Sequence, residues 1–329
     1  MLAPSKVLSD FCASLQFTDL PAPVVARTLE LFLDWYGSAL AGSGSRQAKI
    51  FREFANSMGP RRGPCSVIGS EMTTSPLFAA MINGAASHVV EQDDLHNSSI
   101  LHPATVVFPP LFAAAQSEPG ISGPDFIVAA VAGYEAGIRV GEFLGTPHYR
   151  VFHMTGTAGT VAAAMAVSRL LKLDARTTLH ALGSAGTQAA GLWQFLSDAA
   201  DSKQLHTGKA SADGLLAAYT ARDGLTGASA ILEGEQGMGA GMLSAGKSEK
   251  LVDQLGERWG LLETSFKYHA SCRHTHPAAD AFQEMSARHN VNHEDIVAIR
   301  AHVYRAAADV LGMVDVPETV HQSKFSMGF

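Results

Sequence analysis

The chain has 329 residues, 47 % of them hydrophobic, which is enough to bury a sizeable core in one large domain or two. A formal net charge of −7 leaves no basic excess for neutralising phosphates, so no nucleic-acid partner is expected. The longest apolar runs, 103–115 and 126–132, fall short of the roughly 20 residues that span a bilayer and are interrupted, so no membrane partner is expected either. Residues 1–20 carry no secretion signal, which places the protein in the cytoplasm. Cys12, Cys65 and Cys272 are odd in number and far apart, so they read as reduced thiols rather than a disulfide framework or a CxxC metal pattern.

In chain order, 24–41 places apolar residues at helical spacing and stops at Gly42-Ser43-Gly44. Ser75-Pro76 opens a second helix, since Ser caps and Pro suits the first helical position. The segments 103–115, 123–144, 155–171, 175–190 and 211–221 repeat the theme, alanine-rich helices with Gly or Pro at their joints. Gly133, Gly137 and Gly141 lie on one helix stripe and read as close packing; Glu135, Arg139 and Glu142 in the same segment mark a soluble helix. After residue 262 the pattern changes: 263–268 reads as a short strand, 277–289 as a helix, and 296–304 (IVAIRAHVY) alternates like a strand. The expected fold is mainly α, a large all-helical domain over 1–262 and a smaller α+β unit over 263–329.

Four polar clusters carry the chemistry. The first runs from His88 through Glu91, Gln92, Asp93, Asp94 and His96 to His102-Pro103; on a helix His88 would share a face with Glu91 or Gln92, and the aspartates would end it. Neighbouring carboxylates and imidazoles suit general acid/base work. Asp93, Asp94, His96 and His102 are also ligand types, but no spacing such as HExxH supports a metal, and none is assigned. Helix caps and a hydrogen-bonded core histidine explain any one of these residues equally well; their density is what favours a site. The second cluster is His153 ahead of the Gly156, Thr157, Gly159 helix start, which meets neither the Walker nor the dinucleotide pattern, so no cofactor is assigned. The third is Lys203, His206 and Lys209, leading into a helix near Ser211, where lysines hold carboxylates or act as bases once desolvated. The fourth gathers His269, Cys272, Arg273, His274 and His276 before a helix; Arg273 suits bidentate carboxylate binding, Cys272 reads as packing, and His276 as the actor.

Taken together, LPAPVVARTLELFLDWYGSALAG, GAASHVVEQDDLH with its following HP, GYEAGIRVGEFLG, FHMTGTAGT, SKQLHTGKAS and SCRHTHPAADAF resemble segments of the MmgE/PrpD family in order and over the whole chain. The resemblance implies a helical domain with an α+β lid, a homodimer, no cofactor, and a site between the domains. It implies catalytic roles for Glu91, His102, His153, Lys203 and His276, with Asp93, Arg273, Lys209 and His206 on the substrate. The sequence departs from the family at Leu95, where many members carry a threonine, and SKFSMGF resembles a motif well inside the lid of longer relatives, so the lid is expected to be incomplete. The implied reaction removes a proton next to a carboxylate of a small di- or tricarboxylic acid. A hydro-lyase of the 2-methylcitrate dehydratase type ranks first, an epimerase second and a decarboxylase third. A non-catalytic binding protein or inactive fragment, and a metalloenzyme, stand as rivals from other classes.

Overall fold

The structure is a computed structural model, and it describes residues 3–198, 200–242, 244, 246–312, 314 and 316–329. Helix accounts for 62 % of the chain and strand for 3 %, so the fold is mainly α. In order the helices are α1 (Pro4–Ser14), α2 (Ala22–Gly42), α3 (Arg46–Met58), α4 (Pro76–Ser87), α5 (Ala104–Ser117), α6 (Gly123–Tyr149), α7 (Met154–Leu170), α8 (Ala175–Gln188), α9 (Gln194–Ser197), α10 (Ser202–Arg222), α11 (Met238–Gly241), α12 (His276–His289), α13 (Arg305–Leu311) and α14 (Val320–Ser323). Two short antiparallel pairs complete it: β1 (Cys65–Ser66) with β2 (Thr73–Thr74), and β3 (Leu95–His96) with β4 (Thr264–Ser265). No described helix is long and apolar enough to cross a membrane.

Helix α7 is the axis. Every one of its residues is buried, and α5, α6, α8 and α10 pack around it. A helix covered on all sides shows no apolar stripe, which is why its sequence is small and apolar throughout. The glycines of α6 permit the approach: a Cβ on Gly133 would stand 2.7 Å from that of Ala166, and one on Gly137 2.6 Å from that of Ala162. The packing reading of that stripe therefore holds. Local capping sets several helix starts: the Ser122 hydroxyl accepts from the Asp125 N–H, whose carboxylate returns the bond, and Asp174 accepts from the Thr177 N–H at 2.7 Å.

Several sequence expectations are corrected. Helix α4 stops at Ser87, so His88 and Glu91 share no helix face; 88–94 is an irregular turn, in which Glu91 takes a left-handed backbone with φ 58°. Helix α10 starts at Ser202, nine residues before the expected point, because the polar stretch is itself helical. Lys203, His206 and Lys209 thus lie on that helix rather than ahead of it. The alternating segment 296–304 forms no strand among the described residues: Val297 and Ile299 are exposed, with no neighbouring strand to supply hydrogen bonds. Of 263–268 only Thr264–Ser265 pairs, and its partner Leu95–His96 comes from the first polar cluster.

Glu135 and Arg139 do not mark a wet face. Both are fully buried and paired. Glu135 accepts from the Gly260 and Leu261 N–H groups at 3.2 and 3.0 Å, while Arg139 donates to the Asp253 and Arg258 carbonyls at 3.1 and 3.0 Å. The pair ties the stretch before β4 to α6. Arg139→Met leaves Glu135 buried without its cation and is expected to destabilise the fold by about 3–5 kcal/mol. Urea unfolding measures it, and a loss below about 1 kcal/mol would show that the tie is not structural.

Candidate active site

Three stretches converge on one narrow cleft. The turn after α4 contributes Glu91, Leu95, Ile100 and His102; the α6–α10 region contributes Tyr149, His153, Trp193 and Lys203; and the C-terminal part contributes Lys267, Cys272, Arg273, His274 and Phe325. Its free volume is about 30 Å³, the room of a water or two, so a polycarboxylate enters only if a wall moves.

The turn is held in a costly shape. Glu91 and the β-branched Ile100 have φ of 58° and 54°, a region L residues avoid at a cost on the order of 1–3 kcal/mol each. The neighbouring bonds impose it: His96 pairs with Thr264 and donates its N–H to the Leu101 carbonyl at 2.9 Å, and Lys324 donates to the Val89 and Val90 carbonyls at 3.3 and 2.9 Å. Asp94 accepts from the Ala104 N–H at 2.9 Å and from the Tyr134 hydroxyl at 2.8 Å. Burial pushes the Asp94 carboxyl well above its usual range, toward its neutral form.

Asp93 is the opposite case. It is buried behind the cleft with one carboxylate oxygen 2.7 Å from His88 Nδ1 and 2.9 Å from His102 Nδ1. The His88 contact is an aligned hydrogen bond, whereas His102 approaches off that direction. Burial alone would raise this carboxyl; the two imidazoles outweigh it and hold it well below its usual range. His88 lies between the other two rings, edge-on to His102 at 4.7 Å and stacked on His153 at 5.7 Å, and burial pushes its pKa down to about 4. His88, Asp93 and His102 have a donor set of the kind that binds zinc. Here the N···O separations of 2.7 and 2.9 Å are of hydrogen-bond length, and only the His88 contact is aligned as a hydrogen bond. His96, Glu142 and Glu263 form a second such group, already engaged by Arg258, which lies 2.7 Å from each carboxylate.

Glu91 faces two buried lysines. Lys203 pairs with one oxygen, Lys267 lies 3.5 Å from the other, and the Lys203 ammonium also sits 4.8 Å over the Phe325 ring. Arg273 adds a third cation to the lining, so the cleft carries an excess of positive charge in a protein whose net charge is −7. His153 is buried, its ring edge-on to Trp193 at 5.0 Å, and its Nδ1 lies 3.2 Å from that of His206.

Of the nine residues singled out in the sequence, Glu91, His102, His153, Lys203 and Arg273 line the cleft, and Asp93 and His206 stand directly behind two of its histidines. Lys209 and His276 are elsewhere. On α10 the side chain of Lys209 is turned about 120° from that of Lys203, and it pairs with Asp213 and donates to the Gln188 carbonyl at 2.9 Å. His276 begins α12, buried against His269 at 4.9 Å, with Nε2 3.3 Å from the Ser271 carbonyl; its neighbour His274 reaches the cleft instead. Cys272 is buried as expected, but at the cleft wall. Sequence reasoning missed Lys267, whose one signal is a lysine between Phe266 and Tyr268 beside a short strand, and it assigned no role to Tyr149, Trp193, His274 or Phe325.

The arrangement has the parts of a proton-transfer site for anions: imidazoles at a carboxylate, backed by lysines and an arginine. Comparison with known proteins agrees in class. The MmgE/PrpD N-terminal domain model matches residues 6–250 and the MmgE/PrpD C-terminal domain model residues 269–329. The chain belongs to the MmgE/PrpD family. It is similar to the cis-aconitate decarboxylase-like protein oryM of Aspergillus oryzae, 33 % identical over 84 % of this chain and 60 % of that protein. It is also similar to a cis-aconitate decarboxylase of Aspergillus terreus, 32 % identical over 87 % and 61 %, and to that of Homo sapiens, 28 % identical over 78 % and 54 %. The chain spans about three fifths of the length of the first two relatives.

The Glu91 carboxyl is held below its ordinary value of 4.5 because Lys203, then Lys267, outweigh its burial. An unfolded chain would take up that proton first as pH falls, so the pairing contributes stability above about pH 4.5 and loses it below. Lys203→Met is expected to cost about 3 kcal/mol at pH 7, with the gap from the parent narrowing as pH falls through the acid range. Urea unfolding at stepped pH tests this; a gap that stays constant would remove the coupling.

Proposed function

We propose that this protein is a cofactor-independent lyase for a small di- or tricarboxylic acid, with residues 1–262 as its helical domain and 263–329 as lid. The observation that carries the reading is the juxtaposition of His102, backed by Asp93, with Lys203, Lys267 and Arg273 in one buried cleft. The cations neutralise substrate carboxylates and the enediolate that forms when the adjacent carbon loses a proton or carbon dioxide, which is where electrostatic stabilisation has most effect. The imidazoles exchange the proton. Leu95, Ile100, Trp193 and Phe325 give the cleft apolar walls that limit water around the reacting groups.

Decarboxylation moves ahead of the dehydration that the sequence resemblance ranked first, because the relatives carry that name. In decarboxylation the bond from carbon to carboxylate breaks, its electron pair stays on carbon, carbon dioxide leaves, and an imidazole proton forms the new C–H bond. In dehydration one imidazole takes the carbon proton and another gives a proton to the departing hydroxyl. Both reactions use the same residues. A homodimer, as the family resemblance implies, is part of the proposal.

Incubating the protein with cis-aconitate-like and citrate-like acids in heavy water separates the two. Decarboxylation yields deuterated product and carbon dioxide, and dehydration yields the alkene. His102→Ala is expected to lower turnover by roughly 10²–10⁴-fold, and a chelator to leave it unchanged. The reading fails if no acid in the panel exchanges, or if His102→Ala matches the parent; chelator-sensitive turnover would move the assignment to a metal at His88, Asp93 and His102.

A further inference from the structure

The contact between His153 and His206 determines more than position. Two imidazole nitrogens 3.2 Å apart share one proton, so one ring donates and the other accepts. Whichever way the proton lies fixes what His153 presents to the cleft through its other nitrogen, Nε2. If His206 donates, a neutral His153 carries its proton on Nε2 and can give it up. If His153 donates, its Nε2 is a bare lone pair.

His102 is set by a different partner. Its Nδ1 stands 2.9 Å from an Asp93 oxygen, and although the approach is off the direction of an aligned hydrogen bond, an acceptor-only carboxylate there favours the tautomer with the proton on Nδ1 and a bare Nε2. Decarboxylation needs a group that gives carbon a proton, and dehydration needs a second that takes one; with Nε2 bare, His102 is suited to taking, which leaves the giving to His153.

The seat of His206 is specific. It lies one turn after Lys203 on α10, and its ring packs on Gly191, where a Cβ would come within 3.1 Å of it, and on Phe195 at 5.5 Å. Gly191 accepts the His153 N–H at 3.0 Å, so the same segment fixes both rings. His206 is half-buried, and its Nε2 takes no hydrogen bond among the described residues, which leaves it free to exchange with water.

We infer that His206 is a positioning residue that donates its Nδ1 proton to His153, so that His153 presents Nε2–H as the general acid opposite the base His102. The inference rests on the lyase reading and assigns the roles within it. Burial, then the charges of His206 and Lys203, hold His153 well below its usual range, so the donor is the neutral ring. As the Nε2 proton passes to carbon, Nδ1 takes the shared proton from His206, which replaces it from water at its own Nε2. No imidazolate forms, one solvent proton is consumed for each carbon dioxide released, and exchange with water in the open site restores both tautomers.

Paired substitutions test this. His206→Asn keeps a group that can donate to His153, whereas the nearly isosteric His206→Asp only accepts and reverses the tautomer. The Asn variant is expected to stay within about ten-fold of the parent in kcat, and the Asp variant to fall by up to roughly 10⁴-fold with KM within about three-fold, the scale of a misplaced tautomer in a catalytic histidine. Nitrogen-15 NMR of the imidazoles reads the tautomer without turnover: the proton of His153 is expected on Nε2 in the parent and the Asn variant, and on Nδ1 in the Asp variant. A parent spectrum with the proton on Nδ1, or equal losses in the two variants, overturns the assignment. If the parent turns over no acid at all, the lyase reading fails, and the spectrum still decides the tautomer.

Discussion

Glu91 is a buried carboxylate held between two buried ammonium groups, and the rest of the site is arranged around making that arrangement affordable. Charges removed from water cost several kcal/mol each unless their partners are close and fixed. Lys203 therefore comes from the first turn of α10, Lys267 from the residues after β4, and Glu91 from the turn after α4, where its own backbone is left-handed. Each of these needs the others in place. The pairing of β3 with β4 brings Lys267 to Glu91, and the Lys324 bonds to Val89 and Val90 hold the turn from the other side.

The helical frame makes such a constraint sustainable. Helix α7 is buried all round, its first turn included, and α6 packs closely on its later residues Ala162 and Ala166 through Gly137 and Gly133. His153 is the residue just before that turn, so its ring is located by the best-packed element in the molecule. Thr155 reaches from the same turn to accept the His102 N–H at 3.3 Å, which couples the two histidines that face the cleft. Among the described residues Lys203, Lys267 and Arg273 have no ion-pair partner beyond Glu91, and this positive excess suits an anionic ligand.

Much of this was legible in the sequence. The helices announced themselves by small and apolar runs between Gly and Pro, and the density of His, Asp, Glu and Lys marked the cluster from His88 to His102, His153 and Lys203 as unlike a surface. What escaped was long-range. Lys209 and Lys203 look alike in a string of letters, yet helix rotation sends one to Asp213 and the other to Glu91. His274 and His276 stand two apart at a helix start, and only the turn geometry decides which of them enters the cleft. Lys267 is a single lysine whose importance depends on a strand pair formed with residues far earlier in the chain.

Local physics therefore determined the helical class, the glycine-mediated packing and the chemical vocabulary of the site, because propensity, periodicity and residue type act over a few neighbours. The tertiary structure alone decided which carboxylate is charged. Asp93 and Asp94 are adjacent and chemically identical, but one is held ionised by two imidazoles and the other is pushed toward its neutral form by burial against a backbone N–H and a tyrosine. Ionisation in a buried site is set by what stands within a few ångströms, and those groups come from distant parts of the chain.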